Sequence, residues 1–143
     1  MNLKKKIVAS GMSLLVFCGT LTTAYAINVK DGSSYQTVTH KDVPAFGNEH
    51  FDTYYGSKKS DTTQFATFYK TRGDALLGNF GGLINSSKTI KSEIVGLALN
   101  DPELASELSC TKGTTYFTIV TSSSFEPSNT CDVTVKFSAN KLK

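Results

Sequence analysis

The sequence predicts an all-β protein, mainly an antiparallel β-sandwich of about six or seven strands, and three observations carry that expectation. The first is the run Thr114-Thr115-Tyr116-Phe117-Thr118-Ile119-Val120-Thr121, whose β-branched and aromatic side chains suit a pleated, half-buried surface. The second is Asp132-Val133-Thr134-Val135-Lys136-Phe137, where apolar residues recur at every second position and so share one face. The third is the position of Cys110 and Cys131 on either side of the first run. In an exported protein these two thiols are expected to pair. A plain hairpin would leave Cys131 beside Ser122, about 25 Å from Cys110, whereas a disulfide needs α-carbons within about 7 Å. The conflict disappears if Ser122 to Thr130 runs back along the first strand, so that Cys131 begins a strand in a facing sheet or one running parallel. Two sheets stapled by a Cys110–Cys131 disulfide are therefore expected, the closed loop contributing about 3 kcal/mol.

The elements before that region follow in chain order. Residues 1–26 have the three parts of a secretory signal peptide. Lys4-Lys5-Lys6 is the positive start, Ile7 to Phe17 is apolar, and Ala24-Tyr25-Ala26 supplies small residues for cleavage. Ser10, Gly11 and Ser13 interrupt the apolar part, and Thr20, Thr22 and Thr23 end it short of the roughly 20 residues a span needs. No stable membrane anchor is expected after cleavage. Cys18 is no lipidation site, because Phe17 precedes it where a small residue belongs. Residues 27–143 are then a single secreted, extracellular domain. The leader holds three lysines and no acids, so the chain's 15 basic and 12 acidic residues become 12 of each in that domain. A neutral domain gives no electrostatic footprint for nucleic acid or anionic lipid.

Tyr35 to Thr39 reads as an edge strand, after a turn at Asp31-Gly32 and before a break at Pro44 and Gly47-Asn48. Three aromatic-rich runs follow, Phe51 to Tyr55, Gln64 to Tyr69 and Leu76 to Phe80, with Gly56 to Asp61 an exposed turn between the first two. Gly78-Asn79-Phe80-Gly81-Gly82 is expected to be a loop or sharp bend, because glycine weakens either regular element. Ile90 to Leu99 fits a helical stripe and a buried strand equally by periodicity, and the all-β setting favours the strand. One short helix is expected over residues 101–108. Asp101 can cap it, Pro102 suits its first position, and Leu104 and Leu108 lie one turn apart.

Groupings that carry chemistry are few. His40-Lys41-Asp42 and His50-Phe51-Asp52 repeat an H-x-D pattern ten residues apart, and a hairpin bent at Pro44 to Asn48 would gather two imidazoles and two carboxylates of a kind that hold zinc or copper. Such residues also arise by chance on solvated strands, so no metal and no cofactor are expected, and His40, Asp42, His50 and Asp52 are the residues that would hold a metal if one bound. Arg72-Gly73-Asp74 is the tripeptide that integrin ligands present on loop tips, and it equally fits a hairpin turn at Gly73-Asp74. Asn85-Ser86-Ser87 matches a glycosylation acceptor, which matters only in a eukaryotic secretory pathway. Tyr54, Tyr55, Phe68 and Tyr69 suit sheet packing better than a sugar platform, since the chain has no tryptophan.

No catalytic residues are expected. There is no nucleophile-elbow sequence, no phosphate-cradling loop, and a cysteine nucleophile would be one half of the disulfide. In general layout the chain resembles short exported β-sheet proteins of Gram-positive bacteria. The function expected is a small, secreted, non-catalytic binding protein, bacterial in origin, whose partner is an extracellular protein or cell-envelope component. The alternative is a secreted bacteriocin- or toxin-like protein acting on membranes, suggested by the apolar stretch Ala75 to Ile84 and the helix-packing spacing of Gly78 and Gly82.

Overall fold

The structure, a computed structural model, describes residues 26–142. The signal assigned to residues 1–26 lies outside them but for Ala26. Nine strands succeed one another in chain order: β1 (Asn28–Asp31), β2 (Gln36–Val43), β3 (Glu49–Lys58), β4 (Phe65–Gly73), β5 (Asn79–Ile84), β6 (Val95–Gly96), β7 (Glu103–Ser106), β8 (Thr115–Ser122) and β9 (Cys131–Ser138). They form two sheets, one of order β1-β3-β8-β5-β6 and one of order β2-β9-β4-β7. Every pairing is antiparallel except β1 with β3. The all-β sandwich expected from the sequence is thus present, with nine strands rather than six or seven; the short strands β1 and β7 were not expected.

The core follows from the alternation. β9 buries Val133, Val135 and Phe137, and β2 meets it with Val38 and Val43. From the other sheet Leu83 and Val120 complete the same cluster with Phe68 and Ala105. Phe68 and Phe137 stack with centroids 6.2 Å apart. A smaller cluster of Ile84, Phe117 and Ile119, with Phe51 against it, sits apart from this core. β8 is the central strand of its sheet and is buried from Tyr116 to Val120 on both faces, which is why its sequence reads as a continuous rather than an alternating run.

Several expectations are corrected. Residues 101–108 form no helix; Glu103–Ser106 is β7, hydrogen-bonded along β4 from Phe65↔Ser106 to Phe68↔Glu103. Ala105 is fully buried while Leu104 is exposed, so burial follows the strand period, and a helix of two turns would have lacked the length to stand by itself. Pro102 precedes an edge strand, a place where a missing N–H costs no ladder bond. Gly78 to Gly82 is no bend: Asn79 to Ile84 pairs with β8 through six consecutive residues. Gly81 and Gly82 are there for closeness, since a Cβ on Gly82 would lie 2.7 Å from Ile94 Cδ1 and 2.9 Å from the Glu93 carbonyl, whereas Gly78, before β5, turns the chain at φ 87°. Residues 90–99 are extended, as favoured, but only Val95–Gly96 is a strand, flanked by single bridges Ile84↔Ile90, Ser92↔Glu107 and Lys70↔Leu99. Gly56 to Asp61 is not an exposed turn either; β3 continues to Lys58, and Ser57 and Lys59 are buried.

The Cys110–Cys131 disulfide is absent. Both cysteines are buried free thiols. The strand crossing expected with the disulfide does occur, because β8 and β9 lie in different sheets, yet residues 123–130 only cross between the sheets and do not run back. Cys131 pairs with Val43 and its Sγ contacts Asn79, which pairs with Ser122 at the end of β8. Cys110 precedes the start of β8 and contacts the Lys91 carbonyl at 3.3 Å. The length of β8 separates them, eight residues or about 26 Å.

Candidate functional site

Three connections meet at one end of the sandwich: residues 44–48 between β2 and β3, 74–78 between β4 and β5, and 123–130 between β8 and β9. Each joins one sheet to the other. What ties them together is Glu126. Its Oε1 accepts the Leu76 N–H and its Oε2 the Leu77 N–H, both at 2.9 Å. Its own backbone N–H donates to the Ser123 carbonyl, and its carbonyl accepts the Phe46 N–H at 3.3 Å. Glu126 is buried, and a buried carboxylate with two amide donors is a stable arrangement because charge-assisted hydrogen bonds replace its lost water. Ser122 adds a second tie, donating to the Pro44 carbonyl at 2.6 Å and accepting the Gly47 N–H at 3.2 Å.

On this pinned base the loop tips are apolar and bare. Leu76 is 79% exposed, Phe125 84%, Phe46 59% and Leu77 53%. Phe46 adopts φ 59°, a left-handed backbone unusual for a bulky side chain, and Gly47 follows at 73°. Such a conformation persists only where its surroundings over-determine it, and here the bonds to Glu126 and Ser122 do so. Beside the tips lies an open groove of about 380 Å³, floored by Gly78 and Gly96 and walled by Leu77, Phe80, Leu97 and Glu103. The chemistry available is apolar burial: each Leu or Phe covered by a partner would contribute about 1.5–3 kcal/mol. Of this crown the sequence marked only the apolar stretch Ala75 to Ile84; Phe46 and Phe125 were not singled out, and Glu126, set in the polar stretch Ser122 to Thr130, had no motif to mark it.

Arg72 and Gly73 are the last residues of β4, opposite Thr134 and Val133, and Asp74 leads into the crown. The expected hairpin turn is not there, because β4 and β5 belong to different sheets. Arg72 Nη2 lies 3.7 Å from Asp74 Oδ2 and both side chains are more than half exposed, so the two charges face each other instead of projecting apart.

The H-x-D residues are brought together in part. His40 on β2 and His50 on β3 meet across the two sheets, Nδ1 to Nδ1 at 2.9 Å. His40 is fully buried and its Nε2 lies 2.8 Å from Thr118 Oγ1. Burial, then the neighbouring His50, pushes His40 down to about 3. The carboxylates take no part. Asp42 sits at φ 54° in the register shift between His40 and Val43, where Thr130 reaches its Oδ1. Asp52 Oδ1 accepts the Tyr54 and Tyr55 N–H groups at the shift between Asp52 and Ser57. A bulge after His40 thus breaks the face that strict alternation would have let it share with Asp42, whereas His50 and Asp52 stay in regular register on β3 and Asp52 is held by the Tyr54 and Tyr55 N–H groups. Among the described residues no three histidine, cysteine or acidic side chains form a metal-holding group.

The opposite end of the sandwich holds Lys59, whose side chain is fully buried. Nζ donates to Asp61 Oδ1 at 2.9 Å, Glu107 Oε1 at 3.0 Å and the Ala139 carbonyl at 2.8 Å. Burial alone would lower the Lys59 ammonium, but the hydrogen bonds and charges of Glu107 and Asp61 outweigh it and hold it above its ordinary range. Two carboxylates share this one cation. Burial raises Glu107, whereas on the more open Asp61, although burial opposes, hydrogen bonds from Lys59, Thr63 and the Lys141 N–H prevail and lower it. Nearby, burial and then Glu107 push the Cys110 thiol up to about 11, and burial raises Cys131; neither supplies a thiolate nucleophile at neutral pH. No protein-family model, curated protein or solved structure matches the chain.

Proposed function

We propose that this chain is a small, secreted, non-catalytic binding protein that grips an extracellular protein or cell-envelope component with its loop crown. The observation that carries the proposal is the exposure of Phe46, Leu76, Leu77 and Phe125 on three loops tied to one buried carboxylate, Glu126. Exposed apolar side chains grouped on an ordered base suit an interface core, and loops that are already ordered lose little entropy on binding. Export follows from the leader at residues 1–26, which also supports a bacterial origin. The membrane-active alternative has less behind it. Gly82 lies on β5, so its spacing from Gly78 carries no helix-packing meaning, and no helix among the described residues is long and apolar enough to cross a membrane.

The test is co-sedimentation of the purified mature protein with cell envelopes from the producing organism. The wild type should pellet with the envelopes, and the double variant Leu76→Ser/Phe125→Ser should stay in solution while keeping the wild-type circular dichroism spectrum. Equal pelleting of the two would remove the crown from the reading. Dye release from anionic lipid vesicles by the wild type would favour the toxin-like alternative.

A further inference from the structure

The His40–His50 pair has no part in the crown's apolar binding, yet its geometry is specific. The ring centroids are 5.1 Å apart and the Nδ1 atoms 2.9 Å, so the two nitrogens lie on the line joining the rings and each is aimed at the other. With a proton between them they form one neutral hydrogen bond. The same two nitrogens, both carrying a lone pair, are a linear two-imidazole ligand set.

Which ion such a set would take follows from what surrounds it. Zinc sites complete a tetrahedron with further nitrogen, sulfur or oxygen ligands. Here no third histidine, cysteine or acid joins the pair among the described residues, and Asp42 and Asp52 are engaged elsewhere. A filled-shell monovalent ion such as Cu⁺ or Ag⁺ is satisfied by two ligands in a line, and imidazole suits copper. We propose that His40 and His50 form a two-coordinate site for a soft monovalent cation of the copper group, held between their Nδ1 atoms.

Loading requires both rings to carry their proton on Nε2. For His40 Thr118 supports that tautomer, because its Oγ1, 2.8 Å from Nε2, can accept an Nε2–H; orienting hydrogen bonds of this kind accompany most metal-bound histidines. No proton is released overall: the one shared between the Nδ1 atoms moves to Nε2 of its own ring through solvent. With metal–nitrogen bonds of about 2 Å, the nitrogens must separate by roughly 1 Å. His50, half-buried at the start of β3, is the ring free to move.

The test uses the full chain without oxygen. Cu⁺ is titrated in competition with bicinchoninate, and Ag⁺, which is redox-inert, is added to ¹⁵N-labelled protein to follow the imidazole nitrogens. Wild type should hold one Cu⁺ more than His50→Ala, a difference to which Cys110 and Cys131 contribute equally on both sides. Thr118→Val should weaken Cu⁺ binding about tenfold, and Ag⁺ should shift the Nδ1 signals of both histidines. Equal Cu⁺ uptake by wild type and His50→Ala would overturn the proposal. So would Ag⁺ that moves neither Nδ1 signal, a result read on the wild type and independent of how any variant folds.

Discussion

Lys59 carries a full charge into a buried site, and its three N–H donors find three oxygens, on Asp61, Glu107 and Ala139. Removing one partner of such a group leaves the other charges buried and unpaired, which typically costs about 3–5 kcal/mol. Lys59→Met should therefore destabilise by that order, read as a lower urea midpoint, while Lys59→Met/Glu107→Gln should recover part of the loss by removing the stranded charge. If Lys59→Met unfolds at the wild-type midpoint, the cluster contributes nothing to stability. His40 gives a prediction of the other kind, in pH. Its folded value is pushed down to about 3, against about 6.5 in an unfolded chain. Between those values the unfolded state binds the extra proton, so stability rises with pH. The contribution is complete above pH 6.5 and is lost as pH falls toward 3, at no more than about 1.4 kcal/mol per unit. Glu107, raised above its ordinary range by burial, acts with the opposite sign. Urea midpoints of metal-free wild type and His40→Gln at pH 4, 5 and 6 isolate the histidine, because Glu107 is common to both; parallel profiles would show that His40 does not titrate on unfolding.

At the scale of elements, β8 and β9 were legible because each carries its signal within itself. Eight β-branched or aromatic residues, or a strict alternation, need no knowledge of a neighbour. β5 and β7 were not legible, and for opposite reasons. Glu103–Ser106 has weak strand propensity and is extended because β4 supplies its hydrogen bonds, while the spacing of Leu104 and Leu108 imitates a helical stripe. Asn79–Ile84 contains glycines that argue against a strand until the covering segment is known. A Cβ on Gly82 would come within 3 Å of both Ile94 Cδ1 and the Glu93 carbonyl, and only the side-chain tip can swing away. Gly82→Ala should thus lift residues 90–99 off β5, at a cost of about 1–3 kcal/mol. That segment is held by the Lys91 N–H on the Leu83 carbonyl and the Leu97 N–H on the Asn79 carbonyl. In Gly82→Ala these two amides should exchange faster in deuterium oxide, with Val135 in β9 unchanged. Equal exchange at Leu97 in the two proteins would mean the contact is not needed.

At the scale of the whole molecule, one end of the sandwich is pinned by the buried Lys59–Glu107 pair and the other by the buried Glu126 side chain. The histidine pair shows how far sequence could see at this scale. The ten-residue spacing around Pro44 to Asn48 pointed to a meeting of the imidazoles in a hairpin, and they meet instead across the two sheets. Asp42 is displaced by a bulge set by register with β9 and Asp52 is taken by nearby backbone N–H groups, so the fate of neither carboxylate could be read. Glu126 was invisible for a related reason: its partners are backbone N–H groups some fifty residues away in sequence. The consequence for binding can be isolated, because Glu126 is buried while the tips that would touch a partner are not. In Glu126→Gln the side-chain amide keeps one acceptor oxygen, so either the Leu76 or the Leu77 N–H loses its bond. Hydrogen bonds to a charged group contribute about 1.5–3 kcal/mol, and the 74–78 loop should loosen accordingly. The expected outcome is faster exchange at Leu76 and Leu77, with weaker envelope co-sedimentation by a protein whose exposed side chains are all unchanged. Full retention of binding alongside faster exchange would show that the apolar tips act without being held in place.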